Sequence, residues 1–315
     1  MEAIFRLFPE QASTIAARVD NLFGFLSGVS IFFSGLIFLL LLVFAIRYRR
    51  RSEDERAVQI PSYWSLEVTW IIIPLGLTMI MFVWGARLYV EMMAPPRDAL
   101  EIYVVGKQWM WKFQHPEGQR EINELHVPVG HPVQVTMTSQ DVIHSFYVPA
   151  FRVKMDAVPG RYTAVWFEAT KPGVYHLFCA EYCGTSHSRM VGRVIAMPPA
   201  QYEAWLQTSP QSETMASAGE RLFQQMGCAS CHRADAAVQA PSLVGLVGKE
   251  VNLQSGETVI ADESYIRESI LNPRAKIVAG YAPIMPAFQG QLSEEDVMHL
   301  VSYIKSLQTT QENGS

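Results

Sequence analysis

The sequence predicts a multidomain membrane protein built from a two-helix transmembrane hairpin, a β-sandwich and an all-α C-terminal domain. Three observations predict it. Two runs without a charged residue, 22–46 and 68–86, stand near the start of the 315-residue chain. Short β-rich runs separated by turns fill residues 99–197, and beyond a polar stretch the chain turns helical around a Cys-x-x-Cys-His motif. The formal charge of -5, with no basic stripe, excludes a nucleic-acid partner. The four cysteines form two close pairs, Cys179 with Cys183 and Cys228 with Cys231, a spacing that fits two cofactor sites better than a disulfide framework.

Residues 1–98 read as an N-terminal segment and the hairpin, with residues 1–21 at the periphery. The run from Leu22 to Ile46 covers 25 positions, enough to span a bilayer. It lacks the basic flank, short apolar core and small-residue cleavage site of a signal peptide. The second run, Val68 to Ala86, contains Pro74 and Gly76, which a packed membrane helix tolerates because neighbours satisfy the freed backbone groups. Between the runs stand five arginines, Arg47, Arg49, Arg50, Arg51 and Arg56. Positive loops stay in the cytoplasm, so residues 47–66 lie inside, and the N-terminus and everything after about Tyr89 lie outside. Glu67, in Glu-Val-Thr-Trp, opens the second span. The helix dipole favours a carboxylate there, and an ionisable group at a membrane helix also marks functional positions.

Residues 99–199 form the sandwich. Candidate strands are Leu100 to Val105, Ile122 to Val127, Val133 to Thr138, Ile143 to Val148, Tyr162 to Phe167, Val174 to Phe178 and Met190 to Ala196, spaced as in a sandwich. Trp109, Trp111 and Phe113 alternate, so on a strand their rings share one face. Pro198-Pro199 ends the domain, Ala200 to Gln207 reads as a short helix, and residues 200–217 as a whole form a linker. The polar part of that linker reaches at most roughly 35 Å, which keeps the last domain close to the sandwich.

Residues 218–310 carry Cys228-Ala229-Ser230-Cys231-His232, the c-type haem attachment signal. Two thiols make thioether links to the haem and the adjacent histidine ligates iron. Ser293-Glu294-Glu295-Asp296 opens a final helix with an N-cap and early acids, and Val297, Leu300, Val301 and Ile304 give it a core-facing stripe.

The densest chemistry lies between Cys179 and Met190, in Cys-Ala-Glu-Tyr-Cys-Gly-Thr-Ser-His-Ser-Arg-Met. Thiolate and thioether ligands select soft ions and imidazole suits copper or zinc, so copper comes before calcium or magnesium. A disulfide between Cys179 and Cys183 leaves His144, Glu181, His187 and Met190 unexplained, and a structural zinc site would use a similar ligand set.

This loop, with Asp-Val-Ile-His144-Ser upstream, resembles subunit II of the haem-copper cytochrome c oxidases. The resemblance implies a cupredoxin-like Greek-key sandwich and a dinuclear copper centre, CuA. Cys179 and Cys183 are then the bridges, His144 and His187 the terminal ligands, Met190 the weak ligand, and Glu181 a ligand through its carbonyl. The Glu181 side chain is implied to reach a Mg ion at the interface with subunit I. Trp109 is implied as the point where electrons arrive from cytochrome c, and Glu67 as the mouth of a proton path into subunit I. The loop Lys154 to Arg161 resembles the segment facing subunit I, although Asp156 and Arg161 also fit an ordinary ion pair. The C-terminal region resembles a small class I cytochrome c, with Ile284-Met285-Pro286 supplying Met285 as sixth ligand of haem c and Met298 as a competitor inside the last helix. His115, His126, His131, His176 and His299 match no ligand position.

Taken whole, the chain resembles an oxidase subunit II with a fused cytochrome c. The implied role is an electron wire from haem c through CuA to haem in subunit I, where oxygen is reduced and protons are pumped. Implied partners are subunits I and III, membrane lipid, and an external cytochrome c or upstream respiratory complex. The implied place is a bacterial plasma membrane, with both redox domains on the periplasmic face. Subunit II of a CuA-containing nitric oxide reductase would look similar, and a copper-free quinol oxidase subunit would lack the cysteines and histidines.

Overall fold

The computed structural model describes residues 8–56, 61–208, 213–233 and 240–307. Parts of the expected N-terminal segment (1–7), cytoplasmic loop (57–60), linker (209–212) and C-terminal domain (234–239 and 308–310) lie outside the described residues. The chain divides into two compact units, one of Thr14–Ala94 and one of Met1–Ser13 with Pro95–Ser315.

The first unit is a pair of antiparallel helices, α1 (Ala16–Arg47) and α2 (Trp64–Met93). Phe25 meets Trp84 at 5.6 Å between ring centroids, Leu22 lies against Gly85, and Arg18 pairs with Glu91. Each helix is long and apolar enough to cross a membrane. Both run past the uncharged stretches that announce them, because a helix continues into the interface until a backbone breaker or a capping change ends it. Large apolar side chains such as Ile31, Phe38 and Leu41 stand exposed. Hydrocarbon is the solvent that suits such a surface.

In the second unit a sandwich is built from two five-stranded sheets. One sheet orders β3 (Arg120–Ile122), β2 (Met110–Gln114), β1 (Leu100–Lys107), β5 (Pro132–Ser139) and β8 (Thr163–Glu168). The other orders β4 (Glu124–Pro128), β10 (Val191–Met197), β9 (Gly173–Cys179), β6 (His144–Val148) and β7 (Val153–Ala157). Parallel pairs β1 with β5 and β4 with β10 join otherwise antiparallel neighbours, the crossed-over topology of the cupredoxin-like Greek key. The expected strand 122–127 is two strands, since Asn123 takes a left-handed backbone (φ 59°) that a continuous strand excludes.

Trp111 and Phe113 are fully buried in the core between the sheets. Trp109 is not on their strand: it sits in the turn that joins β1 to β2, where the chain reverses and alternation stops, and is only partly buried against the same core. Ala12 and Ser13 also depart from the peripheral place expected of residues 1–21. Both are buried, with Ala12 N–H donating to the Ala150 carbonyl and Ser13 bridging to Ala169 at the sandwich edge.

After α3 (Pro199–Thr208), the C-terminal domain comprises α4 (Met215–Gln225), α5 (Ala229–His232), a short hairpin of β11 (Glu250–Asn252) and β12 (Thr258–Ile260), α6 (Glu263–Leu271) and α7 (Glu294–Ser306). Ser293 caps α7 in a reciprocal bond with Asp296. The helices α4 and α7 cross so closely at Gly219 that a Cβ there would stand 2.0 Å from the His299 carbonyl oxygen. Only glycine permits that crossing.

Candidate metal and haem centres

His144 begins β6 and Cys179 ends the neighbouring β9, with Phe146 opposite Cys179 in the register. The loop after Cys179 returns to β10, and the Cys179 N–H donates to the Met190 carbonyl at 3.1 Å, closing the loop on itself. The donors therefore converge. Cys179 Sγ lies 3.7 Å from Cys183 Sγ, 3.9 Å from His144 Nδ1 and 3.3 Å from the Glu181 carbonyl oxygen. Cys183 Sγ lies 3.5 Å from His187 Nδ1 and 3.8 Å from Met190 Sδ. Both cysteines are free, at a separation far beyond the ~2.05 Å of a disulfide. His144, Cys179, Cys183 and Met190 are buried, whereas His187 is half-buried and Glu181 exposed.

Asp141 orients His144. Its Oδ1 accepts from Nε2 at 2.7 Å, which leaves Nδ1 as the nitrogen facing the thiols. Burial alone would keep the imidazole neutral, but the Cys179 thiol and the Asp141 carboxylate outweigh it and raise its pKa. Burial likewise opposes ionisation of Cys179, yet contacts from His144 and nearby backbone bring it down to about 6. Cys183 moves the other way, to about 12, through burial and the adjacent Cys179 sulfur. One proton leaves the pair easily and the second is held, as expected of two thiols this close. A bound cation would remove that second proton.

The opposite wall of the site comes from the β1–β2 turn. Gln108 Nε2 and Trp109 Nε1 both donate to the Cys183 carbonyl, at 2.9 and 3.2 Å. Trp111 packs edge-on to the His144 ring with centroids 6.0 Å apart. Gly106 passes His144 so closely that a Cβ would stand 2.9 Å from Cδ2. None of Asp141, Gln108 or Gly106 was among the residues singled out by sequence. For Asp141 a signal existed, a carboxylate three residues before a ligand histidine, whereas Gly106 is visible only in the packing.

In the C-terminal domain, α5 presents Cys228, Cys231 and His232 within one turn. His232 Nδ1 donates to the Pro241 carbonyl at 3.0 Å, which leaves Nε2 free to face inward. A cavity of about 460 Å³ is lined by Phe223, Cys228, His232, Leu243, Met285 and Ile304, among others. Met285 is in that wall. Met298 is not: it is buried with Tyr103, Val105 and Met215 on the other side of α7.

A family model described as "Cytochrome C oxidase subunit II, periplasmic domain" matches residues 120–197, and one described as "Cytochrome c" matches residues 216–308. Cytochrome c oxidase subunit 2 of Alkalihalophilus pseudofirmus is 31% identical over 294 residues, 86% of this chain and 82% of that one. This chain belongs to the cytochrome c oxidase subunit 2 family. Cytochrome c oxidase subunit 2 of Thermostichus vulcanus is 29% identical over 278 residues, 70% of this chain and 85% of its own length. An alternative cytochrome c oxidase subunit 2 from Bradyrhizobium diazoefficiens is 30% identical over 223 residues, 61% and 78% of the two chains.

A cytochrome c oxidase subunit 2 with a fused cytochrome c domain implies CuA copper and haem c, a subunit I partner, and a membrane protein with a periplasmic domain. The residues present fit both groups. Two thiols, two imidazole nitrogens, a thioether and a carbonyl converge at 3.3 to 3.9 Å spacings, a donor set suited to soft ions. For haem, paired thiols and a histidine lie on one turn beside an apolar cavity whose lining includes a thioether.

The remaining sequence-selected residues fall elsewhere. Glu67 lies in the first turn of α2 and accepts a hydrogen bond from Ser62. Asp156 accepts from Ser145 at 2.7 Å and pairs with Lys154 at 3.1 Å, so its ion-pair partner is Lys154 rather than Arg161. His115, His126 and His299 have structural partners: Glu121 bonds the first two, and Gln114 the third.

Proposed function

We propose that this chain is the electron-delivering subunit of a proton-pumping cytochrome c oxidase, loaded from its own haem domain. When bound, the copper pair and haem c are one-electron carriers that pass electrons from haem c through CuA to haem in subunit I, where oxygen is reduced to water. Cys179, Cys183, His144 and His187 would hold the copper, the two thiols shared between the ions, with Met190 and the Glu181 carbonyl as weaker donors. Cys228 and Cys231 would tether the haem, and His232 and Met285 would supply its iron ligands. The Glu181 side chain would help hold a Mg ion at the subunit I interface, Trp109 would take electrons from an external cytochrome c or respiratory complex, and Glu67 would open a proton path. Subunit III completes the complex, in a bacterial inner membrane with both redox domains outside. Residues 1–98, 99–199, 200–217 and 218–310 are the corresponding segments.

The observation that carries this reading is the convergence of two free thiols with His144, His187 and Met190. The chain's own residues do three things there. The carboxylate of Asp141 fixes the His144 tautomer, Gln108 and Trp109 pin the Cys183 carbonyl, and the surrounding core excludes water. A rigid shell of this kind holds the ligand geometry constant through a change of charge, which favours electron transfer. The test is Cys183→Ser in the assembled oxidase. Copper absorption should vanish while haem stays attached, and electrons should stall on the haem; unchanged turnover would sink the proposed route.

A further inference from the structure

The sandwich and the C-terminal domain meet on a patch whose charges do not balance. Its centre is apolar: Tyr103 and Val105 of β1 pack with Met215 and Met298, with Tyr162 beside them. Most of the polar groups around this centre pair one to one. Arg267 of α6 grips Glu294 through both carboxylate oxygens, donates to the Gly160 carbonyl, and stacks over Tyr162. Lys112 of β2 pairs with Glu295, and His299 bonds Gln114.

The exception is at the end of α7. Lys305 Nζ pairs with Glu101 of β1 at 2.5 Å and also with Glu263 of α6. Two carboxylates, one from each domain, therefore share one ammonium. Among the described residues, the other groups facing them add no positive charge. Tyr103 presents its hydroxyl 3.3 Å from Nζ and its ring beneath it, Thr136 bonds Glu101 at 3.0 Å, and Tyr162 lies beyond. Arg267 of the same patch is already neutralised by Glu294.

Apart, the domains would leave Glu263 with Lys305 and return Glu101 to water. Together they press a second carboxylate into the same partly buried site. We propose that docking of the haem domain on the copper domain takes up one proton, held between the Glu101 and Glu263 carboxyls over Lys305, so that the contact tightens as the outer pH falls.

The electrostatics agree in direction. Burial and then the Glu101 charge raise Glu263 from 4.5 to about 7, whereas Lys305, against the effect of burial, holds Glu101 below its ordinary value. Because the docked value of Glu263 lies above its value in water, the docked state binds more protons between the two. The added docking strength is complete at the acidic end of that window and is lost as pH rises through the docked value. Tyr103 and Tyr162 are pushed upward and stay neutral throughout. On the proposed pumping reading the periplasmic face is where exported protons emerge, so an active pump would hold its haem domain in place. The titration itself needs no pump.

The test is hydroxyl-radical footprinting of the full haem-bearing chain in detergent, from about pH 5 to about pH 8.5. Met215 and Met298, which are 0% and 2% exposed when docked, report opening, and Tyr182, 75% exposed, serves as dose reference. Labelling of both methionines relative to Tyr182 should climb by up to about tenfold per pH unit below about pH 7 and level off above it. Glu263→Gln keeps the shape without the charge and should give low labelling at every pH, and Glu101→Gln should do the same. A wild-type profile that is flat, or a slope that survives in both variants, overturns the proposal. Haem absorbance of each variant checks that the domain has folded.

Discussion

Replacing Gly106 with alanine should weaken copper binding without touching a ligand. The new methyl would stand 2.9 Å from His144 Cδ2, 3.3 Å from Cγ and 3.4 Å from Cβ. Carbon atoms at rest prefer about 3.5–4.0 Å, so something must move. β1 cannot move alone, because it is paired to β2 on one side and β5 on the other. His144 is the softer partner, yet it is fully buried, bonded to Asp141 at 2.7 Å and packed against Trp111. Overpacking of this kind costs about 1–3 kcal/mol. Removing a flexible glycine from a strand returns about 0.5–1 kcal/mol. A net loss of about 1–2 kcal/mol corresponds to about 5–30-fold. Since the displaced group is a proposed ligand, the loss should register in copper affinity, measured by competition with a chelator, and in an altered electron paramagnetic resonance spectrum. An alanine variant with wild-type affinity and an unchanged spectrum would refute the placement of His144 against β1.

Two further expectations concern the haem domain. Met285→Ala should change the ligand-field spectrum of the haem and lower its potential, because the thioether of the cavity wall is lost as a ligand. Met298→Ala should leave that spectrum alone and cost about 2–5 kcal/mol of stability through the cavity it opens; the opposite pattern in redox spectroscopy would exchange their roles. Arg267→Met leaves Glu294 without its partner, and should cost about 2–3 kcal/mol in thermal unfolding followed on the haem, less than a fully buried pair because Glu294 keeps some solvent. Adding Glu294→Leu should recover most of that loss, and a neutral single variant would mean the pair is idle.

What the sequence determined by itself is local. Five of the six proposed copper ligands fall within one short loop, and the haem thiols and histidine occupy one helical turn, so ligand chemistry was readable from spacing. The hairpin was readable for a similar reason: a bilayer imposes length and apolarity on each helix separately, whatever its neighbours do. Strand periodicity announced most of the sandwich but left β2 and β7 off the candidate strands, and the run of alternate aromatics concealed a turn at Trp109.

The tertiary structure decided whatever depends on distant parts of the chain meeting. His144 reaches Cys179 across 35 positions because β6 and β9 pair, and Asp141 and Gly106 acquire their roles only once His144 is in place. Met285 and Met298 are both methionines near a haem motif; the fold puts one in the cavity wall and the other behind α7. Lys305 and Glu101 are 204 positions apart, and no local pattern marks a lysine that will share two carboxylates. Short-range chemistry is written in order along the chain, whereas the balance of charge and volume at a buried contact exists only after both sides have arrived.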